Sequence, residues 1–427
     1  MKVTTPTPDA MAPGVRALSY GLFCWLNRHI IVLRWIGAVL RYWPSFAGRI
    51  GMAARASSVK GVLTRPESFS NRTHAPDLVA GDYLIAMDPG PTYHSDRAFF
   101  DARLAGHDLT KVQACADREA QNRLVRLSKS GSKSFDLIDD YLMWIVFHAI
   151  QPVFGDAAGK VAVGAGGDDR DEGLQRQYLL EIRYVAGQLL AGNSSILRVQ
   201  RRAEACADSL RARIKGVSSD LQKAWSVTDP PEDIERNASG LAWISHPVTV
   251  QSGALAVQEL LSRRKVYKNL LSMADGKKSG VWTDKAFRDS VRDHVLELMR
   301  FRPIFPLMAR DVPRDTEFET GGRINAVCPA GGKVALFSIA ALFDPKEVPD
   351  SGRFCPNRKW ADEDLRWLMF GYGTRHCPAR EHAVEILTSA LIGLLTLPEL
   401  RLASDDGKAI TYDGPLMSRM RCAPQEK

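Results

Sequence analysis

No C-x-x-C pair occurs among the seven cysteines of this 427-residue chain, which stand at 24, 115, 206, 328, 355, 377 and 422. An odd and scattered set argues against a disulfide scaffold or a zinc site and suits a reducing compartment. Long uncharged apolar runs are also lacking. Residues 17 to 27 come nearest, but Arg28, Arg34 and Arg41 interrupt the apolar residues beyond them, so the stretch is too short and too charged for a spanning helix. Ser45-Phe46-Ala47 makes a poor cleavage site behind so basic a segment. Residues 1–45 therefore read as a basic, Trp-bearing amphipathic segment that packs on the protein body or touches a membrane peripherally. The expected location is cytoplasmic or membrane-peripheral. A strong excess of one charge is missing as well. The 57 basic and 49 acidic residues leave +8, which is too diffuse for nucleic acid but suits an acidic protein partner or an anionic membrane surface.

Strand-like text is scarce, being confined mainly to "YLIAM" and "GKVALFSI". Apolar residues recur at helical spacing over 108–128, 133–152, 174–193, 196–215, 233–263, 284–302 and 378–396. Residues 155–173 are low in complexity and predict a mobile loop between two helices. With no repeat and no shift in composition, residues 46–427 read as one large domain, mainly α with small β-sheets.

One stretch carries most of the chemistry: "MFGYGTRHCPAREHAVEIL", residues 369–387. Cys377 could be a buried structural thiol, a nucleophile served by His376 or His382, or a metal ligand. A ligand explains more of the stretch. Gly371 and Gly373 permit a tight loop with positive φ against a flat group. A helix starting at Pro378 would point its N–H groups at the sulfur, and with Arg375 it would favour the thiolate.

"FGYGTRHCPA" resembles the haem-binding loop of the cytochrome P450 family, F-x-x-G-x-[HR]-x-C-x-G. Phe370, Gly373, Arg375 and Cys377 fall on its diagnostic positions, while Ala379 replaces the usual glycine and would crowd the haem or alter the hydrogen bonds to sulfur. Upstream, "ELMR" resembles the family's E-x-x-R helix through Glu297 and Arg300, and "FCPNR" supplies Arg358 for a Glu-Arg-Arg network. The resemblance implies the family fold, haem b (iron protoporphyrin IX) on Cys377, and propionate partners at Arg375, Arg310, Arg97 and, less directly, His94. The family's H-x-x-x-R spacing, anchored on Arg97, puts Tyr93 where the histidine is usual.

The resemblance fails at the oxygen-handling helix. "WISHPVTVQ" aligns Ser245 with the family glycine, Pro247 with the acid, Val248 with the first threonine and Thr249 with the second. The acid–alcohol pair is absent. Ser245, His246 and Thr249 remain as candidates for proton delivery. The resemblance implies oxidation of a small lipophilic substrate, with electrons from a ferredoxin or reductase partner. Peroxide- or hydroperoxide-driven chemistry needing no partner is the alternative, and a non-catalytic haem sensor is the alternative of another class.

Overall fold

Helical periodicity becomes helix over most of the chain in the computed structural model, which describes residues 13–42, 49–71, 83–84, 87–106, 108–154, 158–164, 167–168, 171–190, 197–226, 229, 231–319, 325–403 and 408–425. Two N-terminal helices, α1 (Pro13–Arg28) and α2 (Ile30–Leu40), meet at a bend of 95°. No single described helix is long and apolar enough to cross a membrane. One face of α2 packs on the body: Ile30, Leu33 and Gly37 are buried, and a Cβ on Gly37 would lie 2.4 Å from that of Ala340. The other face leaves Ile31, Trp35 and Val39 exposed.

The body is built from α3 (Pro91–Ala105), α4 (Leu109–Lys129), α5 (Met143–Phe154), α6 (Glu172–Leu190), α7 (Leu197–Gly216), α8 (Pro231–Ser262), α9 (Lys285–Phe301) and α10 (Arg380–Leu395). These bounds match the expected helices closely, with one exception. Residues 133–152 were expected to be one helix. Instead Phe135–Asp136 pairs as a short strand with Arg421 and Cys422, and a wide-turn helix over Leu137–Leu142 precedes α5. The Asp136 carboxylate explains the break, since it accepts from the N–H groups of Ile138 and Asp139 and caps the new helix there.

Helix α10 is buried along nearly its whole length after Val384. Arg288 of α9 ties it to α4, reaching both Asp117 oxygens at 2.6 Å and Glu385 at 2.5 Å. Tyr141 donates to the Ala390 carbonyl at 2.8 Å, and a Cβ on Gly393 would stand 2.2 Å from its hydroxyl oxygen. Only glycine permits that approach.

Sheets are small. Gly332–Leu336 lies between Ile50–Ala53, parallel, and Met308–Val312, antiparallel, with Arg310 opposite Val334. The strand expected in "GKVALFSI" is thus present. "YLIAM" is different: Tyr83, Leu84 and Met87 are not in a strand, and residues 85–86 lie outside the described set. The expected mobile loop over 155–173 contains a short helix, Ala158–Val163, whose Val161, Ala162 and Val163 are buried; residues 155–157, 165–166 and 169–170 lie outside the described set.

The Glu-Arg-Arg network has formed. Arg300, fully buried, makes two 2.8 Å contacts with the Glu297 carboxylate, and Arg358 reaches the same carboxylate at 3.2 Å. The Cys355 N–H adds a fourth bond at 2.8 Å. Arg300 also donates to the carbonyls of Leu342 and Arg353. The network therefore locks α9 to the irregular segment that runs into the cysteine loop.

Candidate functional site

Glycine geometry sets the cysteine loop. Gly371 has φ +87° and Gly373 φ +69°, the left-handed region that side chains disfavour. A Cβ at Gly371 would meet the Arg375 carbonyl oxygen at 3.3 Å. The Cys377 N–H then donates to the Phe370 carbonyl at 2.7 Å and closes the loop, while the Phe370 ring rests on Trp367 with centroids 5.8 Å apart.

Helix α10 begins at Arg380, two residues later than expected, with Ala379 at its N-cap. The Ala379 N–H still hydrogen-bonds the Cys377 sulfur. Ala379 has φ −95°, a conformation open to any residue, so alanine here costs the loop no strain. Burial raises the pKa of the Cys377 thiol; the Ala379 N–H and the charges of Arg97 and Arg380 pull it back only partly. Arg375, expected to act on the thiol, is not among the groups that do. Residues 377 to 383 nonetheless all keep some accessible surface, in contrast to the fully buried helix that follows. Cys377 itself is half-buried. His376 bonds to the Gly373 carbonyl through Nδ1 and meets Arg97 through Nε2 at 3.2 Å, so both its nitrogens have partners other than the sulfur.

Two guanidinium groups converge beside this loop. Arg375 reaches Asp88 at 3.4 Å and the Met87 carbonyl at 2.5 Å. Arg310, delivered by its strand, has its pKa pushed down to about 10, first by burial and then by the charge of Arg375, with Asp88 and Asp311 opposing. Among the described residues no carboxylate lies within ion-pair distance of Arg310. Arg97 does something else. It pairs with Asp101 at 2.9 Å and donates to the carbonyls of Thr374 and His376, clamping α3 to the cysteine loop. Tyr93, buried, donates to the Thr374 carbonyl at 3.1 Å and joins that clamp. His94 is exposed.

Helix α8 seats the Tyr83 ring on Gly240 and against Trp243. Further along it, the three expected proton-delivery residues have polar partners of their own. His246, 5% exposed, contacts the Met143 carbonyl on α5 through Nε2 at 2.8 Å. Ser245 and Thr249 bond back to the carbonyls of Leu241 and Ser245 in their own helix. Ser245 and His246 line a small cavity with Phe147, Tyr178 and Ile182. The polar contact of His246 is thus with α5, and those of Ser245 and Thr249 are with their own helix. The contact of Tyr83 with Gly240 was not foreseen: Tyr83 sits in text that read as strand, and only the fold shows the glycine as its seat.

The whole architecture resembles solved cytochrome P450 structures. The open form of cytochrome P450 EryK from S. erythraea superposes with a TM-score of 0.71, covering 92% of this chain and 96% of that one at 17% identity. CalO2 does so with a TM-score of 0.70 over 94% and 97%, at 16% identity. The sequence pattern of the family, cytochrome P450, matches residues 262–419. Over residues 262–419 the chain matches the cytochrome P450 family, and its fold is the P450 fold. Curated P450 relatives match over shorter stretches. The cytochrome P450 monooxygenase criE of Aspergillus cristatus is 32% identical over 111 residues, 26% of this chain and 20% of that protein. Cytochrome P450 85A1 of Solanum lycopersicum is 30% identical over 101 residues, 23% of this chain and 20% of its own length. The matched stretch spans about a fifth of each of these relatives.

The match to the P450 pattern implies haem, and the donor set here suits it. The Cys377 sulfur already accepts a backbone N–H, leaving it able to ligate a cation that would stabilise its thiolate. Arg310 and Arg375, repelling each other with Asp88 as their shared counter-charge, suit two propionate groups.

Proposed function

We propose that this protein is a haem-thiolate monooxygenase acting on a small lipophilic substrate, with electrons from a separate ferredoxin or reductase. The observation that carries the reading is the Cys377 sulfur, held by the Ala379 N–H in a glycine-shaped loop at the start of α10. Haem bound there would supply activation of oxygen, favoured by electron donation from the axial thiolate. Phe370, Gly373 and Ala379 shape its proximal seat. Arg375 and Arg310 hold the propionates. Arg97 acts on the seat through the loop carbonyls, and any contact with a propionate is secondary to that clamp. Ser245, His246 and Thr249 have no assigned part in this reading, because their polar atoms are engaged with backbone carbonyls of α8 and Met143.

The reduced carbon monoxide complex tests the ligand. It should absorb at the long wavelength of thiolate-ligated haem, and persistence of that band in Cys377→Ala would rule the assignment out. Peroxide-driven chemistry is the second reading, favoured by Pro247 and Val248 standing in α8 where the acid–alcohol pair is expected. Turnover with hydrogen peroxide but with no reductase system would select it. The exposed Trp25, Ile31, Trp35 and Val39 support peripheral contact of the N-terminal helices with an anionic membrane on the cytoplasmic side. Co-sedimentation with anionic vesicles checks this contact, and equal recovery with neutral vesicles or none would refute it.

A further inference from the structure

Asp88 places a carboxylate on the arginine that the cysteine loop offers to a propionate. Its Oδ1 lies 3.4 Å from Nη1 of Arg375, whose Nη2 donates to the neighbouring Met87 carbonyl at 2.5 Å. The carboxylate is fixed from behind. Ser70 donates to its Oδ2 at 2.5 Å, and the Asn71 N–H donates to its Oδ1 at 2.9 Å. Ser70 in turn exchanges two backbone bonds with Asp311, at 2.8 and 2.9 Å, next to Arg310 in its strand. Asp311 itself pairs with Lys333. On its other side Asp88 leads into α3, whose Tyr93 and Arg97 hold the Thr374 and His376 carbonyls that flank Arg375. An incoming anion therefore meets a carboxylate anchored to two segments of the fold, one that it cannot simply push aside.

An arginine reserved for a haem propionate would stand without a carboxylate of its own. Arg375 has one, and a guanidinium gives its strongest bonds to a single carboxylate in fork geometry. We propose that Asp88 is a built-in rival of the haem propionate for Arg375, which holds the guanidinium in place before haem binds and shortens the residence of haem afterwards. This rests on the haem-thiolate reading above. Asp88 is a positioning residue: it touches Arg375 and acts on haem only through it. Two anions sharing one guanidinium repel each other, and the internal one is held by Ser70 and Asn71. The mobile one is the ligand, so the repulsion is expressed as release.

Transfer of haem from the loaded protein to an acceptor protein measures that release. Asp88→Asn keeps an acceptor oxygen for Asn71 and Arg375 but removes the charge, so haem should leave about tenfold more slowly, the scale of one like-charge repulsion over a screened few ångströms. Arg375→Gln should release haem faster than the parent, and adding Asp88→Asn to it should bring no slowing, because the rivalry passes through the guanidinium. A residue that merely braced the loop would act the other way, its loss speeding release. Unchanged or faster release from Asp88→Asn would overturn the proposal, as would equal slowing with and without Arg375. Absence of a thiolate-type carbonyl complex in the unmodified protein would overturn the haem reading along with it, whereas a normal complex with unaltered release in Asp88→Asn would overturn the role of Asp88 alone.

Discussion

Arg310 and Arg375 bring two positive charges together at Asp88, and the charge of Arg375 helps depress the pKa of Arg310 to about 10. Like charges crowded together favour an anion between them. Arg310→Leu should therefore hold haem more weakly, with dissociation about tenfold faster, equivalent to about 1.4 kcal/mol. The haem-free variant should be as stable as its parent or slightly more so, since a repelled, desolvated cation has been removed. Haem transfer to an acceptor protein and a melt of the haem-free form measure the two halves. An unchanged transfer rate would remove Arg310 from the propionate site.

The Glu297 carboxylate makes a second prediction. Burial pushes its pKa up, but hydrogen bonds and charge from Arg300, with help from the Cys355 N–H and Arg358, outweigh burial and leave it below the usual 4.5. A carboxyl depressed in the folded state contributes stability that is present above its unfolded pKa. That contribution is lost as pH falls through the folded value, so the acid limb should steepen below about pH 4.5. Glu297→Gln leaves Arg300 buried without its counter-charge and should cost about 3–5 kcal/mol in denaturant titrations at neutral pH. The variant should also show a shallower acid limb, and an unaltered limb would show that the network does not govern acid unfolding.

What the sequence made legible was local or carried by spacing. The positive φ at Gly371 and Gly373, the helices from Leu109, Pro231 and Lys285, and the meeting of Glu297 with Arg300 at i and i+3 all follow from short-range rules. What it hid depended on contacts distant in sequence. His246 read as a proton-delivery group, but the packing of α8 on α5 bonds it to the Met143 carbonyl. Asp136 stopped a helix that periodicity alone would have continued back to residue 133. His94 matched a motif by type but sits one position off the face that Tyr93 and Arg97 turn to the loop.

His246 yields a pH prediction of its own. Burial, with the charge of Arg183, lowers its pKa from 6.5 to about 4 despite the bond to Met143. Its Nδ1 is buried without a partner, so protonation would create an unsatisfied donor. Between these two values the unfolded chain binds the proton and the folded chain does not. Stability should therefore fall as pH drops from about 6.5 to about 4, by about 3 kcal/mol in all. His246→Phe should flatten that window in chemical denaturation curves, while leaving the carbonyl spectrum of the holoprotein alone. A retained slope would assign the effect to another group.

Ala379 and Gly371 differ in what substitution should do, although both neighbour the sulfur's loop. At Gly371 the backbone is left-handed and a Cβ would press on the Arg375 carbonyl, so Gly371→Ala should cost about 1–2 kcal/mol and broaden the thiolate-type carbonyl band. At Ala379, φ is already negative and the N–H already reaches the sulfur. Restoring the family glycine there adds no new bond and only loosens the start of α10. Ala379→Gly should therefore lower stability by no more than about 1 kcal/mol and leave both the carbonyl band and the reduction potential unchanged. A shifted potential would mean that the alanine methyl, and not only its N–H, acts on the sulfur.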